Sequence, residues 1–89
     1  MKIKLELFGA SRDFSNKDYL EFNLKEKIEI KDFRDEIINY LNKNFKGNEK
    51  FKQIVVASVF CNEDNNIIND NYKISKDQKI GIIPPIGGG

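Results

Sequence analysis

Few residues of this chain can do chemistry, and the most telling of them stand at its end. There is no His, which removes imidazole acid–base catalysis and His metal ligation. There is one Cys, Cys61, so no disulfide can close within the chain and no multi-cysteine zinc or iron–sulfur site can be built. No base or cation beside Cys61 in the sequence would activate its thiol, and it reads as a strand-packing residue. The carboxylates are plentiful but scattered. Asp32, Asp35 and Glu36 open a helical pattern, where the macrodipole favours acids, and read as first-turn residues rather than a catalytic pair. Glu63, Asp64 and Asp70 lie in Asn-rich turns that lack the central Gly of a calcium loop. Lys43, Lys46, Lys50 and Lys52 form a basic run typical of a solvated face.

What remains is Pro84-Pro85-Ile86-Gly87-Gly88-Gly89. An apolar strand pattern ending at Ile83 anchors this segment, and the two prolines stop sheet pairing and stiffen the exit. The four residues 86–89 reach roughly 13 Å at about 3.3 Å each. Glycines carry no Cβ, so their backbone can enter a narrow channel in another protein. The reacting atom of such a tail is the Gly89 carboxyl carbon. A free carboxylate is a poor acyl electrophile and becomes reactive as a mixed anhydride, for example with AMP. A bare glycine end lets one enzyme pocket activate that carbon and a different pocket consume it.

The elements that must present this tail are legible from periodicity. Ile3, Leu5 and Leu7 alternate with Lys4 and Glu6, and Leu20, Phe22 and Leu24 alternate with Glu21 and Asn23. Both patterns predict half-buried strands, paired antiparallel. Gly9 to Asp13 between them is a loop or a single helical turn. Ile30, Phe33, Ile37, Leu41 and Phe45 fall at helical spacing and predict a helix over 31–45, stopped by Gly47. Residues 54–61, with Val55, Val56, Val59 and Phe60, predict a third, well-buried strand. Asn62 to Asn66 is a turn, Ile67-Ile68 a very short strand, Ser75 to Gln78 a turn, and 79–83 the last strand. This order predicts an α+β fold, a mixed four- to five-stranded sheet with one main helix packed on one face.

The chain of 89 residues fits a single domain, 1–89, with 84–89 as a protruding C-terminal tail. A net charge of +1 argues against a nucleic-acid partner held by phosphate neutralisation. No apolar run is long enough for a signal peptide or a membrane span, and the lone Cys suits a reducing compartment, so a cytoplasmic protein is expected.

The segment Ile82-Ile83-Pro84-Pro85-Ile86-Gly87-Gly88-Gly89 resembles the end of the molybdopterin synthase small subunit, in the MoaD/ThiS family of β-grasp (ubiquitin-like) sulfur carriers. Phe8-Gly9-Ala10-Ser11-Arg12-Asp13 resembles that family's segment after the first strand, and Asn62 its turn after the third. The resemblance covers essentially the whole chain. It departs at Gly87, where the family carries Ala, Ser or Thr, and at Lys76-Asp77-Gln78-Lys79, which replaces an Asp-Gly-Asp-Glu turn. The resemblance implies a carrier without catalytic side chains, metal or bound cofactor of its own. An E1-like adenylyltransferase would use ATP to adenylate Gly89, and a sulfur donor protein would convert the adenylate to a thiocarboxylate. The tail, Pro84 to Gly89, would then enter the large subunit of molybdopterin synthase, in a heterotetramer, and give its sulfur to the pterin precursor of molybdenum cofactor biosynthesis. By position in the family, Phe8, Ile67 and Ile83 belong to a partner-facing apolar patch, and Arg12 makes a polar contact with a partner. A sulfur carrier for thiamine or tRNA thiolation, a ubiquitin-like modifier forming isopeptide bonds through Gly89, and a plain binding module remain as other readings of the same tail.

Overall fold

Alternation along the first strand sends Ile3, Leu5 and Leu7 into the core and Lys2, Lys4 and Glu6 to the other face. The computed structural model describes residues 1–46 and 48–86, so the expected helix stop at Gly47 and the tail glycines Gly87, Gly88 and Gly89 lie outside the described residues. Strand β1 (Lys2–Leu7) pairs antiparallel with β2 (Tyr19–Asn23) and parallel with the last strand, Gln78–Ile83. The connection after β1 is a 3₁₀ helix, Gly9–Phe14. Its start is closed by Ser11, whose hydroxyl donates to the Phe8 carbonyl at 2.6 Å while the Phe8 N–H donates to Ser11 Oγ at 2.9 Å.

Two two-residue strands that periodicity does not reveal, β3 (Ile28–Glu29) and β6 (Lys73–Ile74), pair antiparallel. Between them in sequence come α1 (Ile30–Asn44), α2 (Glu49–Ala57), β4 (Val59–Cys61) and β5 (Ile67–Ile68); Gln78–Ile83 is β7. Helix α1 lies one residue earlier at each end than its spacing predicts, with Asp32 in the first turn and Lys43 in the last, as the macrodipole favours. Among the described residues the main sheet runs β2-β1-β7-β4-β5. Ile30, Phe33, Ile37 and Leu41 of α1 are buried in one core with Ile3, Leu5, Leu7, Phe60, Ile80 and Ile82 of the sheet. The result is the expected α+β arrangement, a mixed five-stranded sheet with its main helix on one face. No helix among the described residues is long and apolar enough to cross a membrane.

The expected strand over 54–61 is corrected. Its first part belongs to α2, and only Val59–Cys61 is strand. The run Ile54-Val55-Val56 has strand-like composition, but Phe51, Ile54, Val55 and Ser58 stand at i, i+3, i+4 and i+7, a helical face. Val55 and Ser58 are buried, and Val56 points outward at 59% exposure. Phe51 packs against Phe14 and Phe45, each at 5.0 Å between ring centroids. That burial outweighs the weak β-propensity of branched residues. Asn48 caps the helix, accepting from the Phe51 N–H at 3.1 Å. Asn48→Ala is expected to cost about 1 kcal/mol, read as a lower urea midpoint at unchanged slope.

Candidate functional site

The tail begins where β7 loses its partners. Ile80 and Ile82 point into the core, so Gly81 and Ile83 face the opposite side of the sheet. The ladder with β1 ends at Leu7 opposite Ile82, and the ladder with β4 ends at Val59 opposite Ile83. Pro84 has no N–H to continue either ladder. It is buried beside Gly9, where a Cβ would sit 3.9 Å from Pro84 Cδ. Pro85 is exposed, and Ile86 is 97% exposed. The chain therefore leaves the surface at Pro85.

Register places one row of side chains across the outer face of the sheet: Tyr19, Glu6, Gly81, Cys61 and Ile67. The next row toward the tail holds Ile83 and Val59. Phe8, the residue after β1, lays its ring over Gly81. A Cβ built on Gly81 would meet Cys61 Sγ at 2.8 Å and Phe8 Cε2 at 2.9 Å. Glycine in mid-strand is thus what lets Phe8 lie flat against the sheet. Gly81→Ala is expected to cost about 1–2 kcal/mol, near the low end for overpacking because the half-exposed Phe8 ring can swing away. A lowered urea midpoint together with exchange-broadened Phe8 ring signals checks this.

The outer face thus divides in two. Near the tail it is apolar, with Phe8, Cys61 and Ile83 flanked by Val59 at 46% and Ile67 at 63% exposure. Away from the tail it is charged, with Lys79 Nζ 3.7 Å from Glu6 Oε1 and Lys4 Nζ 4.4 Å from the Tyr19 ring centroid. Of the large apolar side chains exposed among the described residues, Val59, Ile67 and Ile86 stand on this face or on the tail, and Val56 stands on α2 beside β4. Contiguous apolar surface with a polar border is the mark of a protein-binding face.

The structure brings Phe8, Ile67 and Ile83 onto one face, in the order the sequence reading grouped them. Val59 and Cys61 share that face and were missed, because a run read as uniformly buried gives no parity. Mid-strand Gly81 was the available signal for a close approach there. Arg12 is exposed on the 3₁₀ helix, with no ion pair or hydrogen bond among the described residues, so nothing joins it to this face. Pro84 forms the buried root of the tail rather than part of its free length. Cys61 is 6% exposed and packs at Gly81. No group of three or more His, Cys, Asp or Glu among the described residues could hold a metal ion. The arrangement is an apolar face, with the Cys61 thiol buried in it, beside an emerging chain end.

No protein-family model matches the chain, and no curated protein sequence does. Solved structures do match. A candidate molybdopterin converting factor, subunit 1, from Pyrococcus furiosus superposes with a TM-score of 0.68 at 18% identity, over 96% of this chain and 98% of that one. SAMP1 from Haloferax volcanii superposes with a TM-score of 0.68 at 11% identity, over the full length of both chains. Identities this low speak for the fold, and on that evidence the described residues have the β-grasp, ubiquitin-like fold.

Proposed function

We propose that this chain is a small cytoplasmic sulfur carrier, the non-catalytic small subunit of a molybdopterin synthase. The observation that carries the reading is the run of β7 into a buried Pro84, an exposed Pro85 and a fully projecting Ile86 beside an apolar face, ahead of three glycines. The likeness of the fold to a candidate molybdopterin converting factor subunit supports it.

In this reading Gly89 is the last residue and its carboxylate is the working group. Inside an E1-like adenylyltransferase a carboxylate oxygen attacks the α-phosphorus of ATP, and pyrophosphate leaves. Hydrosulfide supplied by a sulfur donor protein then adds at the same acyl carbon, and AMP and a proton depart, leaving the thiocarboxylate. The loaded tail enters the large subunit, which provides the catalytic side chains and the pterin precursor. The chain's own contributions are positional. Pro84 and Pro85 hold the exit extended, and Gly87, Gly88 and Gly89 admit the backbone to a narrow channel. ATP belongs to the partner, and the chain carries no resident cofactor or metal.

Phe8, Val59, Ile67 and Ile83 dock the partner while the tail is inserted. Ile67→Asp places a charge at the edge-strand flank of that contact without touching the core, since Ile67 is 63% exposed. Partner affinity is expected to fall about fivefold, with the urea midpoint unchanged, because a charge desolvated at the flank of a contact costs about 1 kcal/mol. Titration calorimetry against the large subunit reads the change.

Intact mass after co-expression with an adenylyltransferase and a sulfur donor tests the function. Replacement of one oxygen by sulfur is the expected result. High-mass Lys conjugates in its place favour the modifier reading, and an unchanged mass with every activating enzyme leaves a binding module.

A further inference from the structure

The register leaves the root of the tail with a single strand partner. β1 accompanies β7 only to Leu7 opposite Ile82, so among the described residues Ile83 is paired with Val59 alone. Val59 opens a strand of three residues, and the residue before it, Ser58, is the C-cap of α2. The direction in which the chain departs at Pro84 therefore depends on two holds, the packing of Pro84 beside Gly9 and the position of the α2–β4 junction.

Ser58 ties the junction to its own helix, its hydroxyl donating to the Ile54 carbonyl at 2.5 Å, and one side chain from another element reaches it. Arg34 reaches out of α1, and its Nη1 donates to the Val55 carbonyl at 2.6 Å and to the Ser58 carbonyl at 2.8 Å, with the Val56 carbonyl at 3.4 Å. Its Nη2 donates to Asp70 Oδ1 at 2.7 Å. The guanidinium carbon stands 4.8 Å from the Phe60 ring centroid. The last carbonyls of a helix have no intrahelical donors and carry the negative end of its dipole, so a cation placed on them satisfies and stabilises them. A planar fork can meet carbonyls on one nitrogen and a carboxylate on the other, which an ammonium on a flexible stem cannot. The Arg34 side chain is only 17% exposed. Phe33 and Ile37 already anchor α1 on either side of Arg34, and what Arg34 adds to the core is a cover over the Phe60 ring.

We infer that Arg34 is a positioning residue for the tail: by clamping the α2–β4 junction it fixes Val59, and through Val59 the departure of Ile83-Pro84 from the sheet. The purpose assigned to that direction, presentation of the chain end to an activating enzyme, rests on the sulfur-carrier reading. The clamp itself does not.

The test compares Arg34→Ala and Arg34→Lys with Ile37→Val, a core control on the same helix. Amide exchange by NMR is read at 58–60 and 82–83, and ATP–pyrophosphate exchange by the adenylyltransferase is read against carrier concentration. Arg34→Ala is expected to lose protection selectively at those amides. It should raise the half-saturating carrier concentration about five- to tenfold with the maximal rate nearly unchanged, since an unfixed tail must be ordered on binding. Arg34→Lys should recover part of both, and it carries the measurement if the alanine variant does not fold. Protection that falls evenly across the sheet, or a half-saturating concentration no different from that of Ile37→Val, overturns the proposal. If the unaltered chain supports no pyrophosphate exchange, the carrier reading fails, and the amide measurement alone then decides whether Arg34 fixes the tail root.

Discussion

One residue added after Gly89 is expected to abolish adenylation of the chain and to leave its fold intact. In the proposed mechanism the carboxylate meets the α-phosphorus of ATP in line, inside a pocket shaped for glycine. An extra residue moves the carboxylate by about 3.3 Å and brings a side chain into that pocket. A misplacement of about 1 Å already costs on the order of a hundredfold in rate, so the loss is expected to be at least that large. The fold is insulated because the last strand ends at Ile83, and Pro85 and Ile86 are exposed. ATP–pyrophosphate exchange reads the first expectation, and an unchanged circular dichroism spectrum and urea midpoint read the second. An extended chain adenylated at the normal rate contradicts the mechanism.

Phe60→Ala is expected to have the largest effect on stability. Phe60 has no exposed surface and sits at the centre of the fold, between Ile82 and Ile68 in the sheet. Its ring lies 6.3 Å from that of Phe33 and under the Arg34 guanidinium. Truncation leaves a cavity that α1 and the sheet cannot both close around, and Phe→Ala in such sites costs about 3–5 kcal/mol. Against a total stability of about 5–15 kcal/mol this removes a large share. The thermal midpoint should fall by more than about 12 °C for a domain of this size. A fall of only a few degrees would mean that the ring is not packed as described.

Much of this architecture is legible in the sequence, and the exceptions have physical causes. β1, β2 and α1 carry clean periodicities because each has one face on the core and one in water, and β7 shows as an apolar run ahead of the prolines. The expected stop of β7 at Pro84-Pro85 follows from the missing N–H groups alone. α2 is hidden because Ile54-Val55-Val56 has strand composition, and its helical face shows only when Phe51 and Ser58 are counted with it. β3 and β6 are too short to show a period. The outer-face position of Val59 needs the register with Ile83, which no local pattern supplies. Arg34 is the least legible residue of all, since its partners are mostly backbone carbonyls that the sequence does not distinguish. For the site, the tail stands out as a motif, and Phe8, Ile67 and Ile83 are named by position in the family that the chain resembles. Their meeting on one face is a property of the sheet.

The central claim is that sulfur is carried on the carbonyl carbon of Gly89. No Lys or Arg follows Lys79, so tryptic cleavage there releases residues 80–89 as one fragment, separate from the fragment bearing Cys61. Tandem mass spectrometry of both fragments, taken from chain loaded with ATP, adenylyltransferase and sulfur donor, locates the sulfur directly. The expected result is sulfur in place of one oxygen at Gly89, with Cys61 unmodified. Sulfur found on Cys61 as a persulfide above an unchanged Gly89 carboxylate, or a native fragment that continues past Gly89, would contradict it.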